Sequence, residues 1–318
     1  MAIAIEGLRK DYGHTQALRG LDLEVRTGEV FGFLGPNGAG KTTTIRILLD
    51  LIRPSSGTAR VLGLDARHDG VALRRRIGYL PGDFLVDGRQ SALELLTYLG
   101  NLRGGVPRST ITALAERLSL DLGPHIKTLS KGNRQKVGLI QAFMHAPELL
   151  ILDEPTAGLD PFLQQEFTVM AREVAADGRT VFMSSHVMSE AQKTSDRVGM
   201  IREGVLVTVE DVERLLETAT REVEIVFAEQ VPPDEFQGLE GISDIVVDGP
   251  AVRCRLDGRA DALIKVAARH TVLSLISQEP DLEEVFFRRY SSGVGSSPTP
   301  ARDTDPGSDS APAREARS

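Results

Sequence analysis

The first two thirds of the chain combine two patterns of apolar residues, a helical spacing and short continuous runs. A helical period begins at Lys41, after which apolar residues recur on one face: Ile45, Leu48, Leu49 and Ile52. Shorter apolar runs, such as "GEVFGFLG" and "ELLILDEP", predict strands inside a covered sheet. Because strands and helices alternate to about residue 209, the pattern predicts an α/β fold with helices on the faces of a sheet.

Several helices in this region have candidate start signals. Residues 91–102, 107–119 and 161–176 show helical patterns, and Ser91 and Ser109 are candidate N-caps for the first two. A further helix, largely buried, is predicted in "LSKGNRQKVGLIQAFMHAP", starting after Ser130.

The pattern changes after residue 209, which predicts a second domain. "REVEIVF" alternates apolar and charged residues, and "IVVDGPAVRCRL" predicts two strands around a turn. With a helix at 260–269 and a strand at 271–277, we expect a small α+β domain over 220–291, joined to domain 1–209 by a linker at 210–219. Asp281 and Glu284 are a candidate capping box for its last helix.

The composition distinguishes a C-terminal tail from the two domains, and the net charge disfavours one class of partner. Residues 292–318 lack aromatic residues and are rich in Ser, Pro, Gly and Ala, which predicts a disordered tail. The formal net charge of −8 disfavours nucleic acid as the main partner. The sequence has one cysteine, no signal peptide and no apolar run long enough to span a membrane. We therefore expect a cytoplasmic protein that reaches a membrane only through a partner.

Candidate chemistry begins with a glycine-rich loop between a strand and a helix. Residues 35–42, "GPNGAGKT", match G-x-x-x-x-G-K-[ST] in the context that this phosphate-binding motif requires. Bare backbone N–H groups and the positive end of the following helix favour phosphate oxygens. We expect Lys41 to reach the β- and γ-phosphates of ATP and Thr42 to ligate Mg²⁺.

Acidic residues at the end of a downstream strand supply the remaining catalytic candidates. Asp153 can bind Mg²⁺, and Glu154 can orient or deprotonate the attacking water, although such residues also serve as helix caps or solvated strand ends. His186 follows the next strand and is either structural or a γ-phosphate contact. Tyr12 is either a packing residue or a stacking surface for adenine.

A second helix start has the character of an anion site. Ser130 and Gly132 open the predicted buried helix. They are either an ordinary N-cap with a flexible glycine or a second anion site at a helix N-terminus.

These motifs together resemble those of ATP-binding cassette (ABC) ATPases. "GPNGAGKTT", "LSKGNRQK", "LLILDEPTAGLDP" and "SSH" occur in the family's order over roughly residues 2–209. The resemblance implies a P-loop NTPase cassette, a mixed sheet with a helical subdomain. It also implies a membrane permease partner and a homodimer of cassettes, whereas the expectation of no nucleic-acid partner rests on the acidic charge. "DLEEVFFRRY" resembles the terminus of ATPase subunits of bacterial drug- and antibiotic-export systems.

The resemblance implies a role for each matching residue. The adenine-stacking residue is Tyr12, and the Walker A residues are Gly35, Pro36, Asn37, Gly38, Ala39, Gly40, Lys41, Thr42 and Thr43. The signature positions are Ser130 and Gly132, and the Walker B positions are Asp153 and Glu154. Asp160 is the D-loop position, and His186 is the switch histidine.

The sequence departs from the family pattern in two motifs. Lys131 and Asn133 stand where many members have Gly and Gln. Gly82, followed by Asp83, stands where a glutamine normally contacts Mg²⁺ and faces the membrane subunit. We expect Asp83 to be either a substitute for that contact or a solvated loop acid.

Three classes of protein carry a phosphate-binding loop of this kind. The leading hypothesis is the ATP-hydrolysing subunit of an ABC exporter at the cytoplasmic face of the membrane, energising export of a drug-like or other small molecule through a separate permease. The alternative is a soluble ABC ATPase acting on ribosomes or nucleic acid, which usually carries two cassettes or a long coiled coil. The third class is a GTPase or small-molecule kinase; a GTPase would carry N-K-x-D, which this sequence lacks.

Overall fold

The computed structural model describes residues 1–84, 86, 88–217 and 220–278. The strands are β1 (Ile3–Tyr12), β2 (Thr15–Val25), β3 (Val30–Leu34), β4 (Ser56–Val61), β5 (Leu64–Asp65), β6 (Ile77–Leu80), β7 (Leu149–Asp153), β8 (Thr180–Ser185), β9 (Arg197–Arg202), β10 (Val205–Asp211), β11 (Arg221–Phe227), β12 (Ile242–Asp248), β13 (Ala251–Leu256) and β14 (Val272–Gln278). The α-helices are α1 (Lys41–Leu48), α2 (Gly70–Arg76), α3 (Ala92–Leu102), α4 (Arg108–Arg117), α5 (Lys131–Phe143), α6 (Pro161–Ala176), α7 (Met188–Thr194), α8 (Val212–Glu217) and α9 (Asp261–Ala267). Short 3₁₀ helices lie at Ile126–Thr128 and Pro233–Phe236.

The central sheet sets the position of the candidate site. Its strand order is β10-β9-β3-β8-β7-β6, and its pairs are parallel except for the antiparallel β10–β9 pair. Every residue of β3, β7 and β8 is buried, as their apolar runs predict for strands covered on both faces. Parallel neighbours end at the same edge, so the segments after β3, β7 and β8 converge there.

An antiparallel sheet and a group of helices complete the first part of the chain. The antiparallel sheet has the order β2-β1-β4-β5, and its apolar side chains share a core with one face of the central sheet. Helices α3, α4 and α5 pack on one another and on a second core at the other face. This arrangement confirms the predicted mixed sheet with helices packed around it.

Helix starts agree with the sequence in one case and differ in another. Ser91 caps α3 in a full capping box with Glu94, as the sequence indicates. The expectation that Ser109 caps the next helix is wrong, because α4 begins at Arg108 and its N-cap residue is Pro107. Proline at the cap position fixes the backbone entry without a side-chain hydrogen bond.

The C-terminal strands form a separate four-stranded antiparallel sheet. Its order is β12-β13-β11-β14, and Val252, Cys254 and Leu256 point into its core on one face, as predicted. The segment 210–219 contains the end of β10 and helix α8, whose Val212 and Leu215 pack into a core of the first part of the chain. The predicted capping box at Asp281 and Glu284, its helix and the tail at 292–318 lie outside the described residues.

No helix within the described ranges combines the length and apolar character required to cross a membrane.

Candidate nucleotide-binding and catalytic site

The glycine-rich loop runs from the end of β3 to the start of α1, and two of its glycines leave no room for a side chain. Gly40 has a φ of 113°, and a Cβ there would lie 2.8 Å from the carbonyl oxygen of Ala17. A Cβ at Gly35 would lie 2.3 Å from the carbonyl oxygen of Ile201. Sterics therefore require glycine at both positions and leave the loop's backbone bare.

Lys41 places its ammonium group inside this loop. Its side chain is 6% exposed, and Nζ donates to the carbonyl oxygens of Gly35 at 2.6 Å and Pro36 at 3.4 Å. Nζ also lies 3.5 Å from Oε1 of Glu154. The loop thus holds a buried positive charge beside the acidic end of β7.

Thr42 and Asp153 place two oxygen atoms that can ligate a metal ion next to each other. The Thr42 hydroxyl donates to Oδ2 of Asp153 at 2.8 Å, and the Ser184 hydroxyl donates to Oδ1. Mg²⁺ prefers such hard oxygens and is usually held by one or two carboxylates plus substrate phosphates. No group of three or more His, Cys, Asp or Glu in the described ranges could hold a metal alone, so this pair fits a magnesium ion that phosphate helps to bind.

Glu154 has an unusual backbone and a paired carboxylate. Its φ of 52° is left-handed, a conformation that costs an ordinary residue roughly 1–2 kcal/mol. Its N–H is held by the carbonyl oxygen and Oγ of Ser184, at 3.2 and 3.1 Å. Oε2 lies 2.7 Å from Nδ1 of His186, which places the histidine beside the candidate base. Backbone strain of this kind is often retained where it orients a functional group.

The start of α5 touches the same region from the helical side. The Ser130 side chain accepts the N–H of Asn133 at 3.2 Å, which is N-cap geometry. A Cβ at Gly132 would lie 2.7 Å from the carbonyl oxygen of Gly158, so the helix start packs directly on the loop that follows Glu154.

An open cleft of about 460 Å³ joins most of these groups. Predicted residues that line it are Pro36, Asn37, Gly38, Gly40, Lys41, Thr42, Thr43, Asp153, Glu154 and His186. The remaining predicted residues, which do not line it in the described part of the chain, are Tyr12, Gly35, Ala39, Ser130, Gly132 and Asp160. Tyr12 is half exposed beneath the ammonium of Lys10, and Asp160 caps α6.

The unusual positions at the missing glutamine also lie here. Gly82 and Asp83 line the cleft, and a Cβ at Gly82 would lie 3.3 Å from Oδ2 of Asp153. Nearby, burial and then the Asp153 carboxylate raise the pKa of Tyr79 above its ordinary value.

Sequence reasoning missed two residues that support the site. Ser184 bridges Asp153 and Glu154, and Gln135 donates to the carbonyl oxygens of Glu154 and Pro155 at 3.1 and 3.2 Å. Both stand inside the quoted motifs "SSH" and "LSKGNRQK", but neither Ser nor Gln at that place in a pattern indicates which backbone groups it will contact.

Comparison with known proteins decides the family. The model of the ABC transporter family matches residues 18–157. The daunorubicin resistance ATP-binding protein DrrA3 of Streptomyces coeruleorubidus is 37% identical over 300 residues, covering 90% of this chain and 95% of its own. This chain belongs to the ATP-binding proteins of ABC transporters.

Other comparisons agree with that assignment. The bacitracin transport ATP-binding protein BcrA of Enterococcus faecalis is 36% identical, covering 67% of this chain and 70% of its own. A solved ATP-binding subunit of an ABC transporter is 25% identical, with a TM-score of 0.62, covering 68% of this chain and 92% of that chain. The chain is therefore an ABC transporter ATPase similar to those of drug and antibiotic resistance, which favours the leading hypothesis over the soluble alternative. ABC cassettes bind nucleotide, dimerise and work with membrane permeases.

Proposed function

We propose that this subunit binds ATP with Mg²⁺ in the cleft described above and hydrolyses it to drive export through a separate permease. The observation that carries the proposal is the convergence of Lys41, Thr42, Asp153, Glu154 and His186 on that one cleft. These residues come from three adjoining strand ends of the central sheet.

The residues divide the chemistry between them. Lys41 and the loop N–H groups bind the phosphates, and Thr42 and Asp153 hold Mg²⁺. The metal, when bound, neutralises charge on the phosphate oxygens. Glu154 accepts a proton from the attacking water, and His186, 2.7 Å away, orients that carboxylate and contacts the γ-phosphate.

The signature and D-loop positions are assigned to the nucleotide that a second copy of the chain binds. Ser130 and Asp160 are exposed, Gly132 is half-buried, and none of the three lines its own cleft in the described residues. In a two-fold homodimer, each signature would contact the γ-phosphate bound by the other chain. ATP would then hold the dimer closed, and ADP, which lacks that phosphate, would release it.

The same proposal fixes the location and the domain roles. A permease partner would hold the subunit at the cytoplasmic face of the membrane. We assign nucleotide binding to residues 1–209, a linker to 210–219 and an accessory role to 220–291. The C-terminal core supports this division, since its buried members among the described residues lie between Val223 and Ala267.

Glu154→Gln tests the catalytic assignment. The amide keeps the shape and cannot accept the proton, so we expect ATP binding to persist and steady-state hydrolysis to fall by about 10²–10⁴-fold. Glu148→Gln is the matched control, because Glu148 precedes β7 at its other end and pairs with Arg76 on the surface. Full hydrolysis by the Glu154→Gln protein would contradict the assignment.

A mixing experiment tests the composite site. Chains carrying Lys41→Ala and Ser130→Arg are each expected to be inactive alone, and their mixed dimer would contain one intact composite site. Full hydrolysis by the Ser130→Arg chain alone, or by a proven monomer, would refute the shared site.

Purification from detergent-solubilised membranes tests the partner. We expect a polytopic membrane protein to copurify with the tagged subunit. Ribosomes or nucleic acid in its place would favour the soluble class.

A further inference from the structure

Gln135 is a buried polar side chain in the second turn of α5. It is 5% exposed, and its amide nitrogen donates to two successive carbonyl oxygens, those of Glu154 at 3.1 Å and Pro155 at 3.2 Å. Both hydrogens of the NH₂ group are therefore used on the backbone immediately after β7. The side chain reaches from the helical part of the fold to the strand end that bears Glu154.

Together with Ser184, Gln135 holds the Glu154 peptide from both sides. Ser184, on the neighbouring strand β8, accepts the N–H of Glu154 through its carbonyl oxygen and Oγ. Gln135 binds the carbonyl oxygen of the same residue. The left-handed φ of 52° at Glu154 is unfavourable for an ordinary residue, and these hydrogen bonds offset part of that cost.

The orientation of the Glu154 carboxylate depends on that backbone. In the held conformation, Oε1 lies 3.5 Å from Nζ of Lys41 and Oε2 lies 2.7 Å from Nδ1 of His186. A relaxation of the backbone toward negative φ would redirect the side chain away from both partners. Displacements of about 1 Å at a reacting group can lower a rate by roughly 10²-fold.

The helix that carries Gln135 also begins at the signature. Its N-cap is Ser130, and Gly132 packs against the carbonyl oxygen of Gly158 with no space for a Cβ. The start of α5 thus contacts the loop after β7 at two places, and one of them is the Glu154 peptide itself.

We propose that Gln135 is a positioning residue that couples the start of α5 to the catalytic carboxylate of Glu154. The inference rests on the proposed role of Glu154 as the base. Movement of α5 when a second chain engages Ser130 is transmitted through the Gln135 amide, so the carboxylate is aligned only when the signature helix is seated. Gln135 itself does not touch the nucleotide.

The test replaces Gln135 by Met, which has a similar length and cannot donate a hydrogen bond. We expect kcat for ATP hydrolysis to fall by about 10–100-fold, the range for residues that orient a functional group. The affinity for a fluorescent ATP analogue and the KM for ATP should change by less than about twofold, since uniform binding is unaffected.

The matched control is Gln141→Met. Gln141 lies on the same helix and its amide also donates to a backbone carbonyl, but to that of Tyr79 and not to the segment that bears Glu154. Gln135 is buried and Gln141 is half-buried, and each variant removes a glutamine amide donor of α5, so a purely structural role predicts comparable losses of kcat. We expect the Gln141→Met protein to keep its kcat.

Three outcomes would overturn the proposal: a normal kcat in the Gln135→Met protein, equal losses in the two glutamine variants, or a loss confined to ATP affinity. If the Gln135→Met chain does not fold, Gln135→Asn replaces it, because it keeps an amide and withdraws the donor by one methylene; a normal kcat there is equally decisive. The Glu154→Gln protein, assayed alongside, separates the two levels. Full activity of the Glu154→Gln protein would refute the role of Glu154 as the base. An inactive Glu154→Gln protein together with a normal Gln135→Met protein would refute only the coupling through Gln135.

Discussion

Ser184 offers a quantitative test of how the acidic strand end is built. The side chain is 0% exposed, and its hydroxyl donates to Oδ1 of Asp153 while Oγ accepts the N–H of Glu154. Ser184→Ala removes both contacts and leaves the fold's volume almost unchanged. The perturbation therefore isolates polar contacts at the site from packing.

The size of the effect follows from what remains. A hydrogen bond to a charged group contributes about 1.5–3 kcal/mol, and a neutral one about 0.5–1.5 kcal/mol. The N–H of Glu154 still donates to the carbonyl oxygen of Ser184 at 3.2 Å, so losing its bond to Oγ costs an amount at the low end of the neutral range. The buried Asp153 carboxylate keeps the bond from the Thr42 hydroxyl, so losing the Ser184 hydroxyl costs it a charged hydrogen bond. We expect the Ser184→Ala protein to lose about 2–4 kcal/mol of unfolding free energy.

Ser195→Ala is the matched control, because it makes the same chemical change at an equally buried serine. Ser195 is 1% exposed, and its Oγ lacks a hydrogen-bond partner in the described structure. Removing an unsatisfied hydroxyl should change the unfolding free energy by less than about 0.5 kcal/mol, or stabilise slightly.

The assay is urea unfolding followed by far-UV circular dichroism, since the sequence contains no tryptophan for fluorescence. Magnesium-dependent ATP hydrolysis, measured on the same preparations, should fall in the Ser184→Ala protein and persist in the Ser195→Ala protein. Equal unfolding free energies for the two variants would refute the reasoning, because they would show that the bridge between Asp153 and Glu154 contributes nothing measurable.

Three further predictions concern the nucleotide. Tyr12→Ala should weaken ATP binding by about 1–3 kcal/mol, measured by calorimetry. An unchanged affinity would show that this half-exposed ring does not stack on adenine. Asp83→Asn should raise the Mg²⁺ concentration needed for half-maximal hydrolysis if this cleft residue replaces the missing glutamine contact. An identical magnesium titration would identify it as a solvated loop acid. Gly40→Ala should abolish ATP binding, whereas Gly38→Ala, whose added Cβ meets nothing within 4 Å, should weaken it less; equal losses would contradict the steric argument.

Local structure was predictable wherever neighbouring residues decide it. The glycine-rich loop needs bare backbone and a following helix, and both requirements are met within a few positions of Lys41. The capping box of α3 is likewise complete between Ser91 and Glu94. Ser109 shows the limit of the same reasoning, since Pro107 sets the start of α4 two residues earlier than that cap would.

The site as a cluster was only partly predictable. The sequence identifies Asp153 and His186 from their places at strand ends and from the family's motif order. Their separation from Lys41 along the chain does not indicate how close they lie to it in space. The parallel register of β3, β7 and β8 brings them together, pairing Asp153 with Ser184 on the next strand. Strand order depends on which apolar faces pack, and local periodicity does not encode it.

The sequence by itself determined the loop, the acidic strand end and the family resemblance, because each is a short pattern whose chemistry acts among near neighbours. Only the tertiary structure decided that Gln135 holds the backbone of Glu154, that Glu154 takes a left-handed conformation, and that Gly82 lies against Asp153. These features arise from contacts between distant segments. A buried glutamine or a strained glutamate has no distinctive pattern of neighbours, so its role exists only once packing has placed its partners within hydrogen-bonding distance.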